Sequence, residues 1–99
     1  MSDLDAKLAE IALQYDEVQV QLGTPEVTSD PNEIRRLGRE LSRLEPVVEA
    51  YRRLLATRAE LAGARELRDQ PDADDEMRAM IRDEIERLEA DETRLVEEL

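Results

Sequence analysis

The spacing of apolar residues in the first 22 positions constrains the fold more than any other feature of the chain. They recur at alternating intervals of four and three, at Leu4, Leu8, Ile11, Tyr15, Val18 and Leu22. This is the seam of a helix that packs on another helix as in a coiled coil. Ser2 and Asp5 form an N-terminal capping pair, while a left-handed Gly23 and then Pro25 would end the helix. We therefore predict a helix over residues 3–22.

A second, longer helix is predicted after a polar loop over residues 23–30. The stretch Asp30-Pro31-Asn32-Glu33 offers a capping aspartate, a proline at the first helical position and a carboxylate at the third. The seam then resumes at Ile34, Leu37, Leu41, Leu44, Val48, Tyr51, Leu55, Arg58 and Ala62, and Val47, Leu54 and Leu61 widen it. We expect this helix to cover residues 31–68, about 55 Å at about 1.5 Å per residue.

Two residues act against one continuous middle helix. Gly38 costs about 1 kcal/mol relative to Ala, and Pro46 about 3 kcal/mol because it lacks an N–H and clashes with the preceding turn. The alternatives are a kink near Pro46 or a break at Leu44-Glu45 with Pro46 opening a new helix. Because the seam keeps its phase from Leu41 to Tyr51, we favour the kink.

The segment Gln70-Pro71-Asp72-Ala73-Asp74 interrupts the chain before a third helix, predicted over residues 74–98. Carboxylates at the start of a helix interact favourably with its positive end. The apolar stripe comprises Met77, Ile81, Ile85, Leu88, Leu95 and Leu99. Asp91 and Glu92 interrupt it, so we expect the last third to pack less tightly.

The predicted fold is all-α, an antiparallel three-helix bundle with coiled-coil-like packing around the long middle helix, in a single domain over residues 1–99. Net charges of −6, +3 and −9 for residues 1–30, 31–68 and 69–99 favour packing each outer helix on the middle one. The antiparallel register places Tyr15 near Leu41. It also predicts that all three helices overlap only around residues 44–55, with Tyr51 in a three-sided core and more deeply buried than Tyr15.

Composition excludes many functions. The chain has no Cys and no His among its 99 residues, and therefore neither a thiolate nor an imidazole for catalysis or zinc binding. A net charge of −12 disfavours direct binding to nucleic acid. No apolar run exceeds three residues, far short of the roughly 20 residues that a membrane span needs. We expect a soluble, cytoplasmic chain without a membrane contact.

Four groups of side chains invite a more specific interpretation, and each has a plainer one. Asp72, Asp74, Asp75 and Glu76 suggest a calcium loop, but an EF-hand counted from Asp72 would need Gly and Glu where Met77 and Asp83 stand. The acids of the third helix suggest a di-metal site, but that site needs His. We interpret these as a helix-capping loop and a solvated face, and predict no catalytic, metal or cofactor residues.

Met77 and Met80 could line an adaptable binding groove, but we predict that they pack in the core. Tyr15 and Tyr51 could stack on bases, yet both lie on apolar seams, so we assign them to the core as well. From the residues alone, the chain is a scaffold or interaction module.

The order of several short segments resembles the N-terminal domain of bacterial class-one peptide chain release factors. These segments are Leu22-Gly23-Thr24-Pro25-Glu26-Val27-Thr28-Ser29-Asp30, Arg39-Glu40-Leu41, Val47-Val48-Glu49-Ala50-Tyr51, Asp75-Glu76-Met77-Arg78 and Asp83-Glu84-Ile85. The UGA-reading branch of the family usually carries Trp after the Pro-x-Val turn, where this chain has Thr28. The sequence is therefore more similar to the branch that reads UAA and UAG.

This resemblance implies a part of a factor that recognises stop codons on the ribosome and promotes hydrolysis of peptidyl-tRNA. The family's Gly-Gly-Gln and Pro-x-Thr motifs are expected downstream of Leu99, so no catalytic residue is carried over and this segment is not expected to be an enzyme. The implied partners are the stalk-base region of the large ribosomal subunit and the class-two release GTPase.

The composition also allows a free-standing acidic helical adaptor or a dimeric coiled-coil protein. A tRNA-binding helical arm is disfavoured by the charge. We further predict that the isolated chain is marginally stable and self-associates through apolar stripes that lack a third helix.

Overall fold

A computed structural model describes residues 2–99, and its regular elements are all helices. Helix α1 spans Asp3–Leu22, α2 Pro25–Thr28, α3 Pro31–Arg68 and α4 Asp75–Glu98. No strand occurs in the described part of the chain. The all-α class and the long middle helix are therefore confirmed, and a fourth, very short helix is added.

The start of α1 follows the predicted capping pair. The Asp5 N–H donates to Ser2 Oγ at 3.1 Å, and Ser2 Oγ donates to the Asp5 carboxylate at 3.0 Å. The helix ends at Leu22 as predicted, but the predicted left-handed conformation of Gly23 is wrong, because its φ is −92°. Its N–H bonds the carbonyl of Val20 at 3.0 Å. The turn after α1 therefore forms without a left-handed residue.

Helix α2 occupies part of the segment that was predicted as loop. Pro25 has no N–H to satisfy and its fixed φ suits the first helical position, while Thr24 is extended before it. The Ser29 N–H bonds back to the carbonyl of Pro25 at 3.2 Å. Pro25, which was predicted to prevent α1 from continuing, therefore also begins one turn of helix.

Helix α3 begins with Asp30 accepting the Asn32 and Glu33 N–H groups, at 3.0 and 3.4 Å. It continues through Pro46 without the break that was the alternative. Leu44 and Val48, on either side of the proline, are 4% and 1% exposed and belong to one apolar cluster. Burial on both sides offsets the hydrogen bond that Pro46 cannot make.

The chain divides into two compact units, of which the first ends at Glu49. Its core is formed by Tyr15, Leu44 and Val48, with Ile11 and Leu41 against them. Antiparallel packing of α1 on the first part of α3 is thereby confirmed, and so is the predicted proximity of Tyr15 and Leu41. A hydrogen bond of 3.1 Å from Gln14 Nε2 to Glu40 Oε1 fixes the same register.

The second unit begins at Ala50, and its core lies between the rest of α3 and α4. Leu61, Ala64, Ile85 and Leu88 form this core, and Ile81 packs on it. Burial there differs from the predicted seam as follows: Leu54 is 0% exposed and Leu61 2%, whereas Leu55 is 46% exposed and Ala62 is also exposed. In this unit the buried face of α3 therefore contains Leu54 and Leu61, each of which comes one residue before a member of the predicted seam, Leu55 and Ala62.

Three further expectations about burial are wrong. Leu95 is only 3% exposed, so the last third of α4 is not loosely packed there. Met77 and Met80, predicted in the core, are 50% and 68% exposed. Tyr15 is buried whereas Tyr51 is half-buried, the reverse of the predicted order.

Candidate functional site

The surface of α4 is organised by arginine–carboxylate pairs one helical turn apart. Arg87 pairs with Glu84 and, at 3.2 Å, with Asp91. Arg94 pairs with Asp91 at 3.8 Å and with Glu98 at 3.1 Å. The hydrogen bond from Arg87 lowers the pKa of Glu84 and raises that of Arg87. These pairs are exposed, so they hold charge in a fixed pattern but contribute little to stability.

Helix α3 carries the same arrangement near its beginning. Arg36 Nη2 lies 2.8 Å from Glu33 Oε2, and this hydrogen bond lowers the pKa of Glu33. Arg43 Nη2 lies 2.7 Å from Glu40 Oε1, and the bond raises the pKa of Arg43. Arg36 and Arg43 are therefore paired with carboxylates of their own helix, which leaves the net positive charge of α3 unchanged.

Two ion pairs in the second unit instead join α3 to α4. Arg58 Nε donates to Glu92 Oε2 at 3.0 Å, with about a third of each side chain exposed. Arg65 Nη2 donates to Glu89 Oε2 at 3.3 Å in a more exposed position. Glu92, which interrupts the apolar stripe of α4, thus contacts Arg58, a charged residue on the predicted seam of α3. The charged residue that interrupts the apolar face of α3 therefore forms an ion pair with the one that interrupts the apolar face of α4.

A shallow depression of about 330 Å³ lies at the turn between α3 and α4. Its lining residues, together called the turn depression below, are Leu67, Gln70, Asp72, Ala73 and Met77. Leu67 and Met77 are 56% and 50% exposed, so apolar side chains line an open concavity instead of filling a core. The groove interpretation of Met77, set aside in favour of core packing, therefore has a structural counterpart.

The acidic segment beside this depression starts α4. Asp74 Oδ1 accepts the N–H of Met77 at 2.8 Å, and its backbone is extended as an N-cap requires. Asp75 and Glu76 lie in the first turn, where the helix dipole favours negative charge. Across residues 2–99 no three carboxylates are grouped as ligands for a metal ion. The geometry gives Asp74 a capping role.

The helices of residues 2–99 are too polar or too short to span a bilayer.

Together these features define an all-α domain built from helical hairpins, with arginine–carboxylate pairs on its surface. At one turn it has a depression that is lined by apolar side chains and lies beside an acidic segment. A family model described as the PCRF domain matches residues 11–99. The chain belongs to the PCRF domain family.

Two curated relatives are similar over most of this chain. Peptide chain release factor 1 of Rhodospirillum rubrum is 42% identical over 88 residues, which cover 89% of the chain and 23% of that relative. Peptide chain release factor 1 of Geobacter metallireducens is 39% identical over 93 residues, covering 94% of the chain and 25% of the relative. The chain spans about a quarter of the length of these relatives, and the resemblance to release factors is confirmed. No solved structure matches the chain.

Sequence reasoning missed the partnership of Arg58 and Glu92 and the turn depression. A signal for the first was present, because a charged residue interrupts the seam of each helix and the antiparallel register brings the two to similar heights. The second had a weaker signal, namely two methionines beside a Pro-containing acidic loop.

Proposed function

We propose that this chain is the N-terminal interaction and regulatory domain of a translation termination factor. The observation that carries the proposal is the family match over residues 11–99, with two release factor 1 relatives over nearly the same span. In the complete factor, other parts of the protein would recognise the stop codon and promote hydrolysis of peptidyl-tRNA. The family comparison does not favour a free-standing acidic adaptor.

The proposed codon set is UAA and UAG. Thr28 in place of the tryptophan of the other branch supports it. The chain itself is proposed to have no catalytic role, because chemistry at an ester requires groups positioned at the reacting atoms. The same proposal assigns the chain to the cytoplasm, where ribosomes translate.

The proposed contacts are the stalk-base region of the large ribosomal subunit and the class-two release GTPase. An acidic chain of net charge −12 suits basic protein surfaces better than exposed RNA, because its field repels phosphates. The helical surface would set the position of the factor, while its chemistry lies elsewhere.

A domain exchange tests this proposal. The matching segment of the Rhodospirillum rubrum factor is replaced by residues 1–99, and release of peptide from ribosomes stopped at UAA, UAG and UGA is measured. We expect the chimera to approach the parent factor at UAA and UAG, and the 99-residue chain alone to release nothing above background. A control chimera carries an unrelated helical hairpin domain of equal length. A chimera no better than this control would overturn the proposal, as would release by the chain alone.

A further inference from the structure

The turn depression combines features that the capping role of Asp74 does not explain. Leu67, near the end of α3, and Met77, in the first turn of α4, both line it, and about half of each side chain is exposed. Met80, one turn further along α4, is 68% exposed. Three large apolar side chains are thus exposed within one turn and its flanking helix ends, where a small charged domain would be expected to show polar residues.

The charge around this apolar surface is strongly one-sided. Residues 66–76 hold six carboxylates and a single guanidinium, and the carboxylates are Glu66, Asp69, Asp72, Asp74, Asp75 and Glu76. All six residues are exposed. Among the arginines in and beside this segment, Arg68 pairs with Asp69 at 3.2 Å and Arg65 with Glu89 at 3.3 Å, while Arg78 is exposed directly after Met77. Residues 65–78 still hold six carboxylates against three guanidinium groups. The depression therefore combines the apolar lining side chains of Leu67 and Met77 with one lining carboxylate, Asp72. Five further carboxylates lie close to it in sequence, and the six are together called the carboxylate rim below.

We propose that the turn depression and Met80 form a docking site for a cationic amphipathic segment of a partner protein. Apolar side chains of that segment contact Leu67, Met77 and Met80, and its lysines or arginines face the carboxylates of residues 66–76. Methionine suits such a site because its unbranched, polarizable side chain adapts to different apolar shapes. The setting of this inference rests on the proposed function, which requires a surface for partners.

Charge selects this occupant over two others. A nucleic acid would bring phosphates against the carboxylate rim, which repels them. A second copy of the chain would bring another net charge of −12. A basic amphipathic protein segment is attracted by the carboxylate rim, and its apolar face also covers the exposed side chains of Leu67, Met77 and Met80.

The test uses the 99-residue chain and defined peptides. The probe is an 18-residue helical peptide with leucines on one face and lysines on the other. One control peptide replaces its leucines by serine, and another replaces its lysines by glutamate. Methyl NMR spectra follow the methionine and leucine signals, and fluorescence titration gives the affinity. We expect the probe to shift the signals of Leu67, Met77 and Met80, and both control peptides to bind at least about tenfold more weakly.

Variants locate the binding on the chain. Leu67→Ser with Met77→Ser should weaken the probe about tenfold or more, as loss of central apolar contacts does at protein interfaces. Glu66→Gln with Asp72→Asn and Glu76→Gln should weaken binding of the probe and make its affinity less dependent on salt concentration. Asp74 is left intact to preserve the N-cap of α4. The matched control is Leu13→Ser with Val20→Ser, since these residues are 61% and 70% exposed on α1. That control should bind as the unmodified chain does.

Several outcomes would overturn the proposal. These are unchanged affinity in the Leu67/Met77 variant with its helical circular dichroism intact, equal binding of the serine control peptide, or an equal loss in the α1 control. Binding of single-stranded RNA at this surface would assign it to nucleic acid. A dimer in sedimentation that the Leu67/Met77 variant abolishes would assign it to a second copy. The peptide titration contains no ribosome, so its failure leaves the domain-exchange result unaffected, and the converse also holds.

Discussion

The two helical hairpins of this chain have the same architecture but hold their helices together by different means. In the first unit, Tyr15 packs among aliphatic side chains and one uncharged amide, Gln14, reaches a carboxylate across the pair. In the second unit, two Arg–Glu pairs join the helices beside an aliphatic cluster of Leu61, Ala64, Ile85 and Leu88. Apolar spacing suffices to predict the first type of interface, whereas the second also requires charged residues to be matched.

The largest expected effect tests the aromatic contribution to the first unit. Tyr15→Ala removes a ring that is 9% exposed, and we expect a loss of about 3 to 5 kcal/mol in the free energy of unfolding. Tyr51→Ala should cost clearly less because that ring is half-buried. Urea denaturation followed by circular dichroism measures both. A larger loss for Tyr51→Ala would restore the original register-based prediction of a three-sided core.

A second pair of variants tests where the buried face of α3 lies in the second unit. Leu54→Ala should cost about 2 to 5 kcal/mol, because the side chain is fully buried and its removal leaves a cavity. Leu55→Ala, at a residue that is 46% exposed, should cost at most about 1 kcal/mol. The two variants delete the same atoms at adjacent positions. Equal losses in urea denaturation would show that the face is not offset from the seam of the first unit.

Leu54 and Leu55 also show how far the sequence could predict this fold. Capping pairs and apolar spacing predicted the bounds of α1 and α3, because local hydrogen bonds and helical period determine them. The choice between two adjacent leucines could not be made in this way, since it depends on which face the partner helix covers. Gly23 and α2 were missed for a related reason: a glycine and a proline allow several turn conformations, and backbone bonds formed in the folded chain select one.

The surface at the turn was harder to predict than the cores. Met77 continued an apolar stripe and was assigned to the core, but α3 ends at Arg68 and α4 starts at Asp75, so Met77 lies in its first turn. A stripe residue at a helix end is buried only if the partner helix extends as far. Arg58 was predicted as a member of the apolar seam, whereas it forms an ion pair with Glu92. The sequence did not indicate this pair directly, because Glu92 is 34 residues away.

The contribution of the Arg58–Glu92 pair to stability tests the difference between the two units. Arg58→Met and Glu92→Leu, singly and together, form a double-mutant cycle. We expect a coupling of about 0.5 to 1 kcal/mol, because both side chains are about one-third exposed and solvent weakens their attraction. The double variant should be nearly as stable as the unmodified chain. Zero coupling would mean that the Arg58–Glu92 pair does not help to hold α3 to α4.

The smallest expected effect concerns a property that the two units share. Glu33 in the first unit and Glu84 in the second each accept a hydrogen bond from an arginine three residues later, and each has its pKa lowered from the ordinary value of 4.5. A carboxylate with a lowered pKa in the folded state stabilises the fold above its unfolded pKa. That contribution is lost as the pH falls through the folded pKa.

Glu33→Gln and Glu84→Gln should therefore be slightly less stable than the unmodified chain at pH 7, with the difference shrinking as the pH falls below 4.5. Thermal unfolding between pH 7 and about pH 3 measures this difference, and Glu97→Gln, at another exposed glutamate of α4, is the control. We expect the same course for both variants, because in each pair the Nε and Nη2 groups of an arginine donate to the two carboxylate oxygens of a glutamate three residues earlier. A pH-dependent difference in only one of them would show that the units also differ in their surface electrostatics, whereas matching courses would confine the difference to the pairs that cross between helices.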